Sequence, residues 1–361
     1  MRSVRCDGSP EAVAALTEAL AQSLDGGPAV LPSDAPGTPE LPDTADGTAL
    51  LIETSGSTGA AKRVMLSRAA LRASAEATHR RLGGPGRWLL ALPAHHIAGV
   101  QVIVRGLLAG FPPAVLDSRG GFRSDGFAAA ATTLLASGDR CYTSVVPTQL
   151  HRLLAEEGPG LRALLGFQAV LVGGAATPEP LLTRARERGV RAVTTYGMSE
   201  TAGGCVYDGV PLDGVRHRLS GEGDRIELTG PMLATGYVGE PGLTAESFVN
   251  GWFRTSDAGQ RLPDGRLRVL GRIDDVITTG GESVHPAAVE RVLTRQSGVR
   301  AACVVGVTDP EWGQLVAAAV VLGYANGDSA GSAETRLRAA VRAELGSPAV
   351  PRVLRLVEDI P

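Results

Sequence analysis

The 361-residue sequence predicts a layered α/β fold, and three observations point there. A small-residue loop, Thr54-Ser55-Gly56-Ser57-Thr58-Gly59-Ala60-Ala61-Lys62, follows a run that reads as a buried strand (49–53) and precedes a helix-compatible segment (67–81). Short apolar runs at 88–93, 114–117, 141–146 and 169–172 alternate with helix-like segments such as 148–156 and 180–189, the alternation that builds sheets covered by helices. After Gly221 the pattern changes to short strands separated by Gly and Asp turns.

Taken in order, residues 10–24 read as a helix, and 25–47, rich in Pro, Gly, Asp and Thr, as an irregular connection. The loop that begins at Thr54 comes next. A run of Gly, Ser and Thr lets backbone N–H groups curl around an anion, and hydroxyls with one ammonium complete the cradle. Lys62 supplies that ammonium and is the only lysine in the chain. The loop is not a GxxxxGK[ST] P-loop, because Gly56 and Gly59 are too close and Ala61 precedes the lysine. An ordinary turn is the competing reading, but a position between strand and helix is where α/β proteins bind anions, so the loop points to a nucleotide.

Downstream, 225–228, 252–255 and 266–270 suggest a small, more antiparallel β-rich subdomain. The segments 285–296, 299–307, 315–322 and 333–345 suggest a compact αββα unit, with the joint expected near 272–275. That divides the chain into a large domain, 1–273, and a small α+β domain, 274–361. No internal repeat is evident.

Composition narrows the function. With 43% hydrophobic and 20% charged residues the chain has the makeup of a soluble globular protein with a substantial core. A net charge of −3 offers no general attraction to nucleic acid or anionic membrane, so an anionic ligand must be held by local donors. Lysine and arginine total 35, all but one arginine, which reads as coding bias. Cys6, Cys141, Cys205 and Cys303 form no CxxC pair, so neither zinc site nor disulfide framework is signalled and a reducing cytoplasm fits. No secretory segment and no apolar run of the roughly 18 residues a membrane span needs are present. The expectation is a cytoplasmic protein without membrane insertion; its oligomeric state, a homodimer included, is left open.

Three further clusters complete the pattern: Val170-Leu171-Val172-Gly173-Gly174-Ala175-Ala176, Thr194-Thr195-Tyr196-Gly197-Met198-Ser199-Glu200-Thr201, and Gly271-Arg272-Ile273-Asp274-Asp275 leading to Gly280-Gly281-Glu282. In this order and spacing, from Thr48 to Pro361, they resemble the adenylate-forming superfamily of acyl-CoA synthetases, luciferases and peptide-synthetase adenylation domains. Within it, Leu92-Pro93-Ala94-His95-His96-Ile97-Ala98-Gly99, Ser144-Val145-Val146-Pro147-Thr148-Gln149-Leu150 and Tyr196 to Gly204 look like the o-succinylbenzoate–CoA ligases of menaquinone biosynthesis. The short segment before the phosphate loop supports the narrower match.

The resemblance implies two half-reactions. A carboxylate attacks the α-phosphorus of ATP to give acyl-AMP and pyrophosphate, and the thiol of CoA then displaces AMP. By the same resemblance, Thr54, Ser55, Gly56, Ser57, Thr58, Gly59 and Lys62 embrace the β- and γ-phosphates. Thr58 and Thr201 are suited to phosphate oxygens. Glu200 holds Mg²⁺, which is usually met by one or two carboxylates plus substrate oxygens; a surface Glu is the alternative. Gly174 and Ala175 admit adenine, Tyr196 stacks on it beside Gly197, Asp257 accepts from the ribose hydroxyls and Arg272 contacts ribose or phosphate. A turn Asp is the bland reading of Asp257.

On the acyl side the resemblance implies His96 between the acyl site and the CoA tunnel, with His95 a packed neighbour, and Ser144 and Thr148 against the substrate. Arg105 is expected to read the spectator carboxylate of o-succinylbenzoate, since a partly buried anion requires a paired donor; a snorkelling surface Arg is the alternative. Asp274, or neighbouring Asp275, matches the hinge of a mobile C-terminal domain, and Gly280, Gly281 and Glu282 then line the pantetheine tunnel. Family members carry a second lysine shortly after a segment like Val357-Glu358-Asp359-Ile360-Pro361. From its absence this chain is expected to bind ATP and acyl-adenylate but to adenylate poorly; the alternatives to the o-succinylbenzoate ligase are another aryl or medium-chain acid:CoA ligase and a non-catalytic acyl-adenylate-binding protein.

Overall fold

The computed structural model describes residues 1–35, 45–54, 62–155, 157–221, 224–323 and 330–360. The chain forms two compact units: Met1–Thr177 with Leu181–Arg218 and Glu227–Arg254, and Pro178–Pro180 with Leu219–Ile226 and Thr255–Pro361.

The first unit opens with strand Arg2–Arg5 and helix Pro10–Leu24, whose start is set by Pro10 and by the Ser9 hydroxyl, which accepts from the Ala12 amide at 3.1 Å. Strands Val30–Ser33 and Thr48–Thr54 continue a parallel arrangement with Arg2–Arg5. The chain then departs from the expected strand, loop and helix. Lys62–Ser67 is itself a strand, antiparallel to Thr48–Thr54 with Thr54 opposite Lys62, and helix Arg68–Arg81 begins only after it. Residues 55–61 therefore connect two hydrogen-bonded strands. The physical reason lies in the sequence: Val64 and Leu66 are buried while Lys62, Arg63 and Met65 are only partly so, an alternation with period two. Ser67 caps the helix, accepting from Ala70 N at 3.1 Å, and the short strand Gly236–Tyr237 closes this five-stranded sheet on the far side of Lys62–Ser67.

A second sheet has seven strands, in the order Val210–Pro211, Gly203–Tyr207, Ala192–Met198, Ala169–Val172, Cys141–Val145, Arg87–Leu90 and Ala114–Val115. From Ala192–Met198 to Ala114–Val115 all neighbours run parallel. Helices Pro10–Leu24 and Arg68–Arg81 pack on the first sheet and on helix Ile97–Leu108, which packs on the second. Helices Ser124–Leu135, Pro147–Ala155 and Pro159–Gly166 contribute to a core that joins Phe127, Leu134, Leu150, Leu153, Leu164 and Phe167 to the strands. The layered α/β architecture expected from the sequence is therefore present.

The β-rich segment is also present: Arg216–Ser220, Arg225–Thr229, Trp252–Arg261 and Phe248–Val249 are neighbours in one sheet, and Leu267–Arg272 pairs with Trp252–Arg261. In the second unit, helices Pro286–Thr294 and Ala330–Leu345 accompany a sheet ordered Glu282–Val284, Ile277–Thr279, Gly313–Leu322, Val299–Asp309, with Val353–Val357 parallel to Gly313–Leu322. Ile277, Val289, Val292, Leu293, Val304, Val320, Leu337 and Val341 form its core.

Candidate active site

The carboxyl ends of four parallel strands lie along one edge of the seven-stranded sheet, the edge where open α/β sheets bind ligands. Arg87–Leu90 leads to Leu92–His96, Cys141–Val145 to Pro147-Thr148, Ala169–Val172 to Gly173-Gly174-Ala175, and Ala192–Met198 to Ser199-Glu200-Thr201. The Gln149 side chain ties two of these loops together, accepting from Val146 N at 3.0 Å and donating to Ala91 O at 2.9 Å. Ser144 is buried within its strand, and Thr148 is exposed on the first turn of its helix.

His96 stands at the N-cap of helix Ile97–Leu108. Gly99 lets that helix start against the preceding turn, because a methyl group there would sit 2.2 Å from Pro93 O. His95 stacks on His96 with ring centroids 4.1 Å apart and places Nε2 3.5 Å from Asp34 Oδ2. Partial burial, and then the neighbouring His95, hold the His96 imidazole below its ordinary pKa, against an opposing pull from Asp34.

Gly174 has a φ of +80°, a left-handed turn that suits glycine, and Ala175 beside it is exposed. Tyr196 is half-buried. Gly197 is required by its neighbouring strand, since a methyl group there would lie 2.1 Å from Gly203 O. Thr201 is fully buried, and its hydroxyl is engaged with the backbone: it accepts from Met198 N at 2.9 Å and lies 2.7 Å from Gly203 O, to which it donates. In this arrangement the Thr201 hydroxyl fixes the turn carrying Glu200. Ala202 follows with a φ of +47°, a left-handed conformation that costs a β-carbon-bearing residue energy.

Tyr237, which the sequence reading did not single out, joins two of the expected residues. Its hydroxyl donates to Glu200 Oε1 at 2.9 Å, and Lys62 Nζ lies 5.8 Å from its ring centroid. Burial first, then the Glu200 charge, push the Tyr237 pKa up. The remaining loop residues, Ser55, Gly56, Ser57, Thr58 and Gly59, lie outside the described residues.

Arg105 is buried, 3% exposed, so the surface reading does not apply. Its guanidinium lies 5.0 Å from the Trp88 ring centroid and donates to Tyr207 Oη at 3.4 Å. Arg105 Nε, both Gln101 amide atoms, Trp88 Nε1 and His79 Nε2 are buried without hydrogen-bond partners. Burial lowers the Arg105 pKa, with Tyr207 acting in the other direction. No described carboxylate pairs with Arg105, and a buried charge without a paired partner is costly.

In the second unit, Asp257 and Arg272 are cross-strand partners, and Arg272 reaches Asp274 at 3.7 Å. Asp274 and Asp275 are exposed. Gly280 and Gly281 turn the hairpin between Ile277–Thr279 and Glu282–Val284, both with positive φ, as a two-residue type I′ connection demands. A side chain at Gly280 would also meet the Trp312 ring at 2.7 Å. Glu282 is exposed.

A family model described as AMP-binding enzyme matches residues 5–234, and one described as AMP-binding enzyme C-terminal domain matches residues 288–361. The chain belongs to the AMP-binding enzymes. This AMP-binding enzyme is 46% identical over 319 residues to the probable 2-succinylbenzoate–CoA ligase of Mycobacterium tuberculosis, spanning 88% of this chain and 81% of that one. It is similar in structure to the O-succinylbenzoate Coenzyme A Synthetase (MenE) from Bacillus subtilis in complex with AMP, with a TM-score of 0.72, 28% identity and coverage of 88% of this chain and 66% of that one. It is also similar to the amide bond synthetase McbA from Marinactinospora thermotolerans, with a TM-score of 0.76, 28% identity and coverage of 93% and 72%.

Two further observations bear on what the AMP-binding enzyme can hold. Among the described residues no cluster of three or more His, Cys, Asp or Glu is placed to hold a metal ion. No described helix is long and apolar enough to cross a membrane.

Proposed function

We propose that this AMP-binding enzyme activates o-succinylbenzoate with ATP and transfers the acyl group to CoA, supplying o-succinylbenzoyl-CoA for menaquinone biosynthesis in the cytoplasm. Relatedness to a probable 2-succinylbenzoate–CoA ligase at 46% identity supports the reaction class. The observation that carries the substrate is Arg105. A buried guanidinium without a carboxylate is best balanced by a ligand anion, and o-succinylbenzoate retains one carboxylate when the other is activated.

In the first half-reaction, a substrate carboxylate oxygen bonds to the α-phosphorus and the bond to the pyrophosphate oxygen breaks. Lys62 and the loop before it hold the β- and γ-phosphates. Glu200, whose Oε1 accepts from Tyr237, would hold Mg²⁺, which would neutralise charge on the phosphate oxygens. Gly174, Ala175, Tyr196 and Gly197 bound the adenine position, and Asp257 and Arg272 are assigned to the ribose. In the second half-reaction the CoA sulfur attacks the acyl carbon, AMP leaves with the bonding electrons, and the thiol proton is released. His96, Ser144 and Thr148 line the path of the acyl group.

We assign residues 1–273 and 274–361 as the two domains of this cycle, with Asp274 the hinge and Gly280, Gly281 and Glu282 lining the pantetheine channel. Asp274→Pro should leave pyrophosphate exchange within about twofold while thioester formation falls by more than tenfold, because a proline removes the φ freedom a hinge needs. Equal effects on the two steps would count against the hinge.

The decisive experiment incubates the enzyme with ATP, Mg²⁺, CoA and either o-succinylbenzoate or benzoate, with product identified by mass spectrometry. The thioester of o-succinylbenzoate is expected in large excess over that of benzoate. Arg105→Met, which keeps the volume and removes the charge, should raise the KM for o-succinylbenzoate at least tenfold and leave that for benzoate nearly unchanged, a charged hydrogen bond being worth about 1.5–3 kcal/mol. Equal losses for both acids would reject the assignment of Arg105.

A further inference from the structure

Lys62 and Glu200 are opposite charges that touch the same tyrosine yet are not paired with each other. Lys62 Nζ lies 5.8 Å from the Tyr237 ring centroid. Glu200 Oε1 accepts from Tyr237 Oη at 2.9 Å, and Oε2 has no partner among the described residues. No described carboxylate forms an ion pair with Lys62. Opposite charges in a partly buried site attract, and the Tyr237 side chain lies against both of these.

Tyr237 is held in place by its strand and its neighbours. It lies opposite Val64 in the antiparallel pairing with Lys62–Ser67, so its neighbour on that strand is two residues from Lys62 and on the same side of the pleat. Tyr237 N donates to Thr244 Oγ1 at 3.0 Å, Val238 N to Arg63 O at 3.0 Å and Thr235 N to Met65 O at 3.0 Å. Ala234 N donates to the Glu200 carbonyl at 2.8 Å, tying the same segment to the acid's own backbone. Gly236, at a φ of +143°, lies so close to Thr244 that a methyl group would meet it at 2.5 Å. The ring centroid lies 5.9 Å from that of Phe248.

We propose that Tyr237 is a positioning residue that separates Lys62 from Glu200, presenting its ring face to the ammonium and its hydroxyl to one carboxylate oxygen, so that the lysine is kept for phosphate and the second oxygen for a divalent cation. The cation half rests on the function proposed above; the lysine half does not. A hydroxyl donor suits this task because it fixes the carboxylate without neutralising it, and a ring face attracts an ammonium less strongly than a carboxylate would.

The test exploits the single lysine. Reductive methylation with ¹³C-formaldehyde labels only Lys62 and the N-terminal amine, so the Lys62 methyl resonance reports its position over the ring. Mn²⁺ binding is followed in parallel by water-proton relaxation in the presence of α,β-methylene-ATP. Tyr237→Phe should keep the upfield ring-current shift of the Lys62 methyls and raise the Mn²⁺ half-saturation concentration about tenfold, as loss of one hydrogen bond to a charged group does. Tyr237→Leu should lose both. An unchanged Mn²⁺ titration in Tyr237→Phe, or an unchanged methyl shift in Tyr237→Leu, overturns the assignment. If the wild-type protein binds neither Mn²⁺ nor the nucleotide analogue, the ligase reading fails, and the methyl resonance still decides the contact between Tyr237 and Lys62.

Discussion

Replacing Lys62 with methionine should slow acyl-adenylate formation by about 10²- to 10³-fold, the usual cost of removing one preorganised donor from a site of developing charge. The expectation is sharp because the chain has no other lysine to take its place. The 34 arginines are poor substitutes: a guanidinium is a planar fork and Lys62 a compact point charge on a flexible stem, so Lys62→Arg should recover less than about tenfold of the loss. In the free enzyme the ammonium rests near the Tyr237 ring, an interaction of only about 0.5–1 kcal/mol at an accessible site, so little is forfeited when it turns to phosphate. The measurement is ATP–pyrophosphate exchange beside AMP binding. AMP has no β- or γ-phosphate, so its dissociation constant should move less than about twofold, within the range of a weak peripheral contact. A variant with full exchange activity would remove Lys62 from the phosphate site, and a parallel loss of AMP binding would mark a folding defect instead.

The fold was legible where one period dominated. Helices Pro10–Leu24 and Arg68–Arg81 and the strands Ala114–Val115, Cys141–Val145 and Ala169–Val172 lie within a residue or two of where the sequence places them, and Arg87–Leu90 ends three residues before the apolar run that marks it, because each shows a single buried face or a short, largely buried run. Helix Ile97–Leu108 was not legible as a helix. Its buried residues run nearly unbroken from Gly99 to Gly106, since it packs against helices on one side and a sheet on the other, and an all-round apolar segment carries no 3.6-residue signal. The strand Lys62–Ser67 was hidden for a different reason: the small-residue loop before it invited a strand-to-helix reading, and its own alternation is short.

The site divides in the same way. The four motifs at the carboxyl ends of the parallel strands could be ordered from sequence, because strand order converts motif order into proximity. Side-chain direction could not. That the Thr201 hydroxyl caps its own turn was not readable from its motif, and Arg105 could have been exposed until Trp88 and Tyr207, from distant strands, closed over it. Tyr237 was missed because its strand is only two residues long, too short for any periodicity, and its significance appears only when Glu200 and Lys62 are beside it. The paired glycines 280 and 281 show the converse: a Gly-Gly pair marks a tight turn in the sequence, and both residues take positive φ in a hairpin, with the Trp312 ring beside Gly280.

Acidification from pH 7 to pH 4 is expected to destabilise the first unit by about 3 kcal/mol through His79 alone, taking 1.36 kcal/mol for each of the units between its ordinary 6.5 and about 4. Burial is the main cause of the low value, the Arg105 charge the second, and a hydrogen bond to the Arg105 backbone opposes both. The sign follows from proton counting. Above pH 6.5 the ring is neutral folded or unfolded and contributes no pH dependence; between 6.5 and 4 the unfolded chain binds a proton the native protein refuses, so stability falls as pH falls. Below about 4 the native ring also protonates, and the loss levels off. His79→Gln should flatten this part of the curve, so that urea unfolding midpoints of variant and wild type converge or cross between pH 7 and pH 4 after carboxylate titrations common to both cancel. Parallel curves would show that His79 is not the group responsible. The same measurement bears on the ligand. His79 Nε2 and Arg105 Nε are both buried without partners, and an anion seated beside Arg105 offsets the charge that opposes protonation of His79. Saturating o-succinylbenzoate should therefore shrink the acid-dependent loss in the wild type and leave the Arg105→Met variant unaffected, while benzoate, with no second carboxylate, should change neither.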